Sequence, residues 1–290
     1  TCALPISMLA NATFYYVTKA VADMAAAIGE TEDAQLYSDY AAGIKAEWNA
    51  TYVDPETHKT TASGKVQDTQ ASYSLPLAYD VFDETNKPYA EDYLVEACAR
   101  ENYTITTGFV GTAPLLPALT EGGNIEDAYK MLEQTEYASW LYPVTQGATS
   151  IWERWNSYTV ENGFGGNNSM NSFNHFSLGA ISEWMMGYQL GITGDDANPG
   201  YQEFILQPTV GGSFTYANGS FESNYGEIYS GWTADNGTMT SYEAVVPANT
   251  TATLYLPVSE EAVAEFENIA GVTYEGMTIN NETTVAKFTV

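Results

Sequence analysis

The sequence predicts a helical domain followed by a β-sandwich, because different periodicities occupy its two parts. Up to about residue 194, apolar residues recur three and four positions apart, which is typical of amphipathic helices. Beyond residue 195, runs rich in Thr, Val, Tyr and Ile alternate apolar with polar positions, which is typical of half-buried strands. The segment between them, "TGDDANPG", is polar and rich in turn formers. We therefore predict one domain over residues 1–194 and another over residues 195–290.

The helices are predicted from apolar stripes and their end signals. The first has five apolar residues on one face, and Gly29 ends it: Phe14, Val17, Val21, Met24 and Ile28. The second begins at a Thr31 cap and carries a stripe of Leu36, Tyr40, Ile44 and Trp48. Further helices are predicted over 68–82, 87–100, 113–120, 125–135 and 171–192, the last one capped by Asn171 or Ser172. Short loops between them indicate antiparallel neighbours, as in an α/α toroid.

The strands of the second domain are predicted from five alternating runs. These runs are "FILQP", "GEIYSGWTA", "MTSYEAVV", "TATLYLPV" and "AKFTV". Asn236 and Gly237 stand between two of them, and this dipeptide is a strong signal for a two-residue hairpin turn. The pattern therefore predicts an antiparallel β-sandwich.

Charge and composition exclude several classes of partner. The net charge of −28 would repel phosphate backbones and anionic membrane surfaces, so we expect a neutral or cationic ligand and no nucleic acid. No apolar run approaches the ~20 residues of a membrane span. The two cysteines are far apart and His58 is remote from the other histidine, so no metal site and no cofactor are expected. The oligomeric state is left open.

Glu153 is the first candidate for chemistry, because "TSIWERW" sets it between Trp152 and Trp155. Sugar rings stack on tryptophan, and glycoside hydrolysis needs two carboxyl groups, one as acid and one to activate water. The neighbouring Arg154 would favour the ionised form of the glutamate. The residues alone leave a second reading open, namely a structural Glu–Arg ion pair.

His175 and Trp140 are weaker candidates. His175 lies in "NSFNHF" between two phenylalanines, where a ring nitrogen can donate to a substrate hydroxyl or simply satisfy a core contact. Trp140 precedes the Glu153 segment and is either a sugar platform or part of the core. The sequence shows no nucleophile elbow and no Cys–His pair, so acyl transfer has no support.

Four motifs in a fixed order carry a resemblance to a known family. They are "TTGFVGTAPLLPAL", "YASWLYPVTQGATSIWERWNS", "SMNSFNHFSLGAISEWM" and "PGYQEFILQPTVGGSFTYANGSFESNYGEIYSGW". This succession resembles the C-terminal half of bacterial α-L-rhamnosidases of glycoside hydrolase family 78, over essentially the whole chain. The resemblance implies part of an (α/α)6 barrel followed by a C-terminal β-sandwich, and hydrolysis of α-L-rhamnosides with inversion.

The resemblance also implies roles for individual residues. The glutamate of the Trp-Glu-Arg-Trp motif, here Glu153, matches the general base of the family. His175 matches the histidine that contacts the rhamnosyl ring, and Trp152, Trp155 and Trp140 match aromatic positions near that pocket. The ligand implied is a neutral carbohydrate.

One departure from the family pattern is important. The acidic segment that supplies the general acid in the family is missing from this sequence. We therefore expect the chain to be a fragment of a longer enzyme, to expose apolar helix faces, and to be inactive alone. Two other readings stay open: a non-catalytic carbohydrate-binding or structural module, and another inverting (α/α)6 glycosidase or a sugar phosphorylase.

Overall fold

The computed structural model describes residues 6–166, 169–263 and 269–290. Helices follow one another through the first part of the chain: α1 (Ile6–Ala27), α2 (Thr31–Tyr52), α3 (Gln70–Ala78), α4 (Lys87–Arg100), α5 (Phe109–Thr112), α6 (Leu115–Glu121), α7 (Ile125–Glu133), α8 (Leu141–Thr145) and α9 (Ile181–Trp184). A small hairpin of β1 (Thr61–Ala62) and β2 (Lys65–Val66) precedes α3. A 3-10 turn precedes α9, and a π-helical segment, Met185–Gln189, follows it.

The chain forms two compact units. The helical unit comprises the residues up to Gly122 together with Gln134–Leu178, and the sandwich unit comprises Gly123–Glu133 and Gly179–Val290. Helix α7 belongs to the sandwich unit, where the hydroxyl of Tyr129 donates to the carbonyl oxygen of Thr209 at 2.6 Å. The domain boundary that we predict between residues 194 and 195 rests on the change of sequence pattern, and it stays a prediction.

Helices α1 and α2 pack as an antiparallel pair. The indole Nε1 of Trp48, near the end of α2, donates to the carbonyl oxygen of Met8, near the start of α1, at 2.9 Å. Trp48 is 2% exposed and meets Phe82 edge-on, with ring centroids 5.0 Å apart. Two buried alanines of α1, Ala12 and Ala22, are small enough to let neighbouring elements approach closely.

The apolar stripe predicted for α1 was wrong, because the helix buries another face. Phe14, Val17, Met24 and Ile28 are 46–77% exposed, whereas the buried residues are Met8, Leu9, Ala12, Tyr15, Thr18, Ala22 and Ala25. On α2, Leu36 and Tyr40 are also exposed, and only Trp48 of the predicted stripe is buried. We call these six exposed side chains of the two helices the α1–α2 face.

The helix ends agree with the sequence in some places and differ in others. Helix α4 has the predicted bounds of 87–100. Thr31 is the first helical residue of α2 and not its cap, and Glu30 precedes it without a side-chain cap bond. Helix α3 is shorter than predicted at both ends: Thr69 and Ser72 form a reciprocal capping box at its start, and Asp80, just beyond its end, has a left-handed backbone with φ of 52°.

Two sheets make up the strand part of the sandwich unit. The strands are β3 (Ile192–Gly194), β4 (Glu203–Leu206), β5 (Tyr216–Ser223), β6 (Gly226–Asp235), β7 (Thr238–Val245), β8 (Thr251–Leu256), β9 (Thr273–Asn280) and β10 (Thr283–Thr289), with the short helix α10 (Glu260–Val263) after β8. One sheet has the order β3-β4-β8-β10-β9 and the other β5-β6-β7. All neighbours are antiparallel except β4 and β8, which are parallel.

The two sheets share one core, as a β-sandwich requires. Phe204, Leu254 and Phe288 come from the five-stranded sheet and Ile228 from the three-stranded sheet, and all four are buried in one cluster. The predicted hairpin turn joins β6 to β7, and both of its residues have positive φ, 49° at Asn236 and 76° at Gly237. Strands β5 and β9 were not predicted, since "YANGSFES" and "TYEGMTIN" are mostly polar and contain glycine.

Candidate functional site

The segment around Glu153 pairs with the segment around His175. The backbone N–H of Glu153 donates to the carbonyl oxygen of Ser172 at 2.9 Å, and the N–H of His175 donates to that of Ile151 at 2.9 Å. The hydroxyl of Ser150 donates to the carbonyl oxygen of Phe173 at 2.5 Å. Two of the predicted site residues, Glu153 and His175, are therefore held on adjacent segments that are neither helix nor strand.

Residues 171–176 were predicted to open a helix, and this prediction was wrong. These residues are extended or bent, and helical geometry begins at Ser177 with the 3-10 turn. Ser172 is therefore not a helix cap. Its N–H instead donates to Oε2 of Glu153 at 2.7 Å, a charge-assisted hydrogen bond that fixes the carboxylate.

Glu153 lines a cavity, and its carboxylate is not paired with the neighbouring Arg154. Within the described residues no ion pair joins Glu153 to Arg154, although the sequence left that reading open. Glu153 is half-buried and lines a cavity of about 710 Å³, which is large enough for a small glycoside. Trp155 and Asn156 line the same cavity.

Another part of the cavity wall is built from the start of α3 and the loop before α5. The side chain of Gln70, which is 1% exposed, donates to the carbonyl oxygen of Thr104 and accepts from the N–H of Thr106, at 2.8 and 2.9 Å. Thr106, Thr107 and Phe109 line the cavity as a result. Gln70 was not singled out from the sequence, because a buried glutamine inside an apolar helix carries no motif.

Asp68, one of the charged residues that line this cavity, is engaged with neighbouring groups. Asp68 accepts from Lys59 Nζ at 2.6 Å and from the Tyr73 hydroxyl at 3.0 Å, and Arg100 donates to the Asp68 backbone oxygen at 2.8 Å. The hydrogen bond to Asp68 raises the pKa of Lys59. Burial first, and then the Asp68 charge, raises the pKa of Tyr73. Because its carboxylate oxygens are occupied, Asp68 is poorly suited to donate a proton to a substrate.

The three tryptophans lie around two cavities. Trp155 lines the 710 Å³ cavity, and it also lines a second cavity of about 380 Å³ together with Trp140 and Trp152. The rings of Trp140 and Trp155 meet edge-on at 5.9 Å, and Trp140 Nε1 donates to the carbonyl oxygen of Leu178 at 2.9 Å. Trp140 and Trp152 are buried, at 9% and 6% exposure, whereas Trp155 is half-buried.

His175 sits in a stack of three aromatic rings. Its ring lies 4.9 Å from that of Phe109 and 5.6 Å from that of Phe176, nearly parallel to both. Nδ1 is within 3.4 Å of the Ser177 N–H, which assigns an acceptor role to Nδ1 and the proton to Nε2. Phe109 also lines the large cavity, so the stack adjoins its wall.

The described residues contain neither a cluster of metal-ligating side chains nor a membrane-spanning helix. Within them no group of three or more His, Cys, Asp or Glu side chains has metal-site geometry. None of the helices in the described ranges is long and apolar enough to span a bilayer.

Comparison with known protein families shows to which family the chain belongs. The family described as the bacterial alpha-L-rhamnosidase 6 hairpin glycosidase domain matches residues 4–188. The chain belongs to the bacterial α-L-rhamnosidase family. The C-terminal domain of bacterial α-L-rhamnosidases matches residues 191–269. The predicted architecture, part of a six-hairpin barrel followed by a β-sandwich, is thereby confirmed.

Individual α-L-rhamnosidases are similar over most of the chain. A protein of that name from Formosa agariphila is 37% identical over 263 residues, which are 90% of this chain and 27% of the relative. One from Streptomyces avermitilis is 35% identical over 254 residues, 87% of this chain and 23% of the relative. The crystal structure of the Streptomyces avermitilis α-L-rhamnosidase with L-rhamnose superposes with a TM-score of 0.79 at 31% identity, covering 98% of this chain and 26% of that one. The chain thus spans about a quarter of the length of these relatives.

Proposed function

We propose that this chain is the C-terminal part of an inverting α-L-rhamnosidase, which hydrolyses terminal α-L-rhamnosyl residues from glycosides or polysaccharides. The carboxylate of Glu153 supports this proposal most directly, because it is oriented by a backbone N–H at the wall of a cavity of suitable size. Family membership supports the reaction class. In this proposal residues 1–194 belong to the catalytic barrel and residues 195–290 to the sandwich domain.

Glu153 acts as the general base in this proposal. The Ser172 amide holds Oε2, so Oε1 takes the proton from a water molecule that attacks the anomeric carbon of the rhamnosyl unit. A carboxylic acid on the other side of the ring protonates the leaving oxygen, about 6.5–9.5 Å from the base in inverting enzymes. The sugar is released with the opposite anomeric configuration.

Of the remaining predicted residues, His175 and Trp155 bind the sugar, and Trp140 and Trp152 support them. His175 carries its proton on Nε2 and donates it in a hydrogen bond to a ring hydroxyl. Trp155 provides an apolar surface at the cavity wall, and Trp140 supports it by edge-on packing. Trp152 packs against Phe173 and keeps the two paired segments together.

The general acid is supplied by a part of the enzyme outside this sequence. Two more carboxylates line the same cavity: Asp68 has its oxygens occupied by Lys59 and Tyr73, and Glu101 is exposed to solvent. The relatives are about four times longer than the matched region, which leaves ample chain for an acid segment. The exposed apolar α1–α2 face is also what an incomplete barrel would present.

An assay of the full-length enzyme separates this proposal from its rivals. We expect hydrolysis of p-nitrophenyl α-L-rhamnoside that does not require phosphate, and proton NMR should detect the β-anomer of rhamnose first. A requirement for phosphate would indicate a phosphorylase instead. Binding of rhamnose by calorimetry without any turnover would indicate a non-catalytic binding module and would overturn the proposal.

A further inference from the structure

A second cavity, in the sandwich unit, is built from several separate segments of the chain. It has a volume of about 240 Å³. Gln207 follows the end of β4, Tyr255 lies near the end of β8, Asn280 ends β9, and Met239 comes from the start of β7. Asn281, in the β9–β10 turn, has a left-handed backbone with φ of 45°. Several elements of the unit therefore converge on one pocket.

The polar groups of this cavity are amides and hydroxyls. The side chain of Asn280 donates from Nδ2 to Oε1 of Gln207 at 2.9 Å, across 73 residues of sequence. This bond fixes the orientation of both amides, and each amide still has donor and acceptor capacity beyond it. None of the described residues that line the cavity is Asp, Glu, Lys, Arg or His.

The lining also offers apolar surface beside these amides. Tyr255 and Pro257 line the cavity half-buried, and Val285 lines it at 4% exposure. Amides beside an aromatic ring suit a ligand with hydroxyls at its edge and C–H groups on its face. A metal cation would need carboxylates and an anion would need basic groups, and the described lining has neither. The volume lies below the ~300–1,000 Å³ of drug-sized pockets, which limits the ligand to about one ring.

We propose that this cavity binds one neutral monosaccharide unit, in a site that belongs to a different unit from Glu153. Asn280 and Gln207 bind its hydroxyls, and Tyr255 contacts its apolar face. The site does not take part in hydrolysis, so it adds a binding function to the one proposed above.

Methyl NMR of the methionines reads this site directly. Met239 lines the proposed site, whereas Met185 and Met186 line a different cavity of the same unit and serve as internal references. The 290-residue chain, labelled with 13C at the methionine methyls, is titrated with L-rhamnose, D-galactose and D-glucose, and with D-glucuronate as the anionic comparison. We expect at least one neutral sugar to shift Met239 saturably with a Kd of about 1 mM, while Met185 and Met186 stay in place and glucuronate binds more weakly.

Two variants of Asn280 test the amide contact. Asn280→Ala removes the amide, and Asn280→Asp keeps its shape but replaces the donor by a charge, so each is expected to weaken binding about tenfold. Asn218→Ala, at an exposed position in β5, is the matched control and should leave the Met239 titration unchanged. A well-dispersed methyl spectrum shows that a variant is folded. If Asn280→Ala does not fold, Asn280→Asp alone provides the test.

The outcomes either support or overturn the site. A Met239 response that persists unchanged in the folded Asn280 variants would overturn it, as would the absence of any response to the three neutral sugars well above the millimolar range. Because the assay reads binding and not turnover, it remains informative if the proposed hydrolase activity fails.

Discussion

The position of Glu153 depends on a backbone group nineteen residues further along the chain. The motif around Glu153 singles this residue out, and the motif around His175 singles out the histidine, but neither motif predicts that the two segments pair. The sequence pattern placed residues 171–176 in a helix, where the Ser172 N–H would point along the helix axis. Backbone pairing between segments distant in sequence has no local signal, so the orientation of the carboxylate was not predictable.

A change at Ser172 tests whether this amide positions the base. Ser172→Pro removes the N–H, and we expect kcat of the full-length enzyme to fall about tenfold to a hundredfold, since a charged acceptor loses a hydrogen bond. Ser172→Ala keeps the N–H and should retain most of the activity. Steady-state kinetics give the result, with circular dichroism to confirm that both variants fold. Full activity of a folded Ser172→Pro enzyme would show that the amide has no positioning role.

A half-buried phenol in the sandwich unit makes stability depend on alkaline pH. Burial raises the pKa of Tyr242 from 10.0 to about 12, although the hydrogen bond with Ser230 opposes this. Below pH 10 the phenol is neutral in both states and its contribution is complete. Between pH 10 and 12 the unfolded state ionises first, so the free energy of unfolding should fall by about 2–3 kcal/mol from this group.

Two phenylalanine variants isolate this contribution. Urea unfolding at several pH values should show a shallower loss between pH 10 and 12 for Tyr242→Phe than for the unmodified chain. Tyr225→Phe, at an exposed position of the same unit, should leave the slope unchanged. If Tyr242→Phe and Tyr225→Phe give the same slope, the phenol of Tyr242 is not responsible.

At the scale of elements, predictions from specific local signals were correct, and predictions from ambiguous patterns were not. Helix α4 and the β6–β7 turn agree because the Lys87–Pro88 start and the Asn-Gly dipeptide are specific local signals. The stripe of α1 failed because apolar residues surround most of that helix. Periodicity identifies an apolar face, but only tertiary contacts decide which of two apolar faces is buried.

The exposed α1–α2 face leads to a prediction about association. The isolated chain should self-associate through this face, and the double variant Val17→Gln and Met24→Gln should reduce that association. Both side chains are more than half exposed, so the free energy of unfolding of the isolated chain should change by only about 0.5 kcal/mol. Sedimentation velocity and urea unfolding measure the two effects.

The same double variant distinguishes a covered face from an ordinary surface. In the full-length enzyme, where we propose that further helices cover this face, it should be clearly destabilising. Trp48→Ala, at a site that is 2% exposed, is the reference for a buried position and should cost about 3–5 kcal/mol in either context. Two results together would show that further helices do not cover this face: the isolated chain is monomeric, and the double variant leaves the stability of the full-length enzyme unchanged.

At the scale of the whole molecule, we propose that this chain contributes one of the two carboxyl groups that glycoside hydrolysis needs. Glu153 and the aromatic side chains are present, and the order of four motifs was enough to predict the family. The partner carboxylate could not be assigned, since the matched region is about a quarter of the relatives' length. The motifs single out the residues that we propose carry the chemistry, but they give no signal for Gln70, which holds the loop of Thr104 and Thr106 at the cavity.

The missing acid leads to a prediction for the isolated chain. Without a group to protonate the leaving oxygen, it should hydrolyse p-nitrophenyl α-L-rhamnoside at about 10²–10⁴-fold below the rate of the full-length enzyme, or not detectably. Both proteins are assayed at equal molar concentration, and circular dichroism confirms that the isolated chain is folded. Equal turnover by the two would mean that the acid lies within this sequence.

The most direct measurement concerns the base itself, in the full-length enzyme. Replacing Glu153 with glutamine keeps the side chain's shape and the contact with the Ser172 amide but removes the basic oxygen, so kcat should fall about 10²–10⁴-fold while the Kd for L-rhamnose stays within a few-fold. Glu161→Gln, at an exposed position in the following loop, should behave like the unmodified enzyme. If the Glu153→Gln enzyme turns over rhamnoside at the normal rate, Glu153 is not the base and this account of the site is wrong.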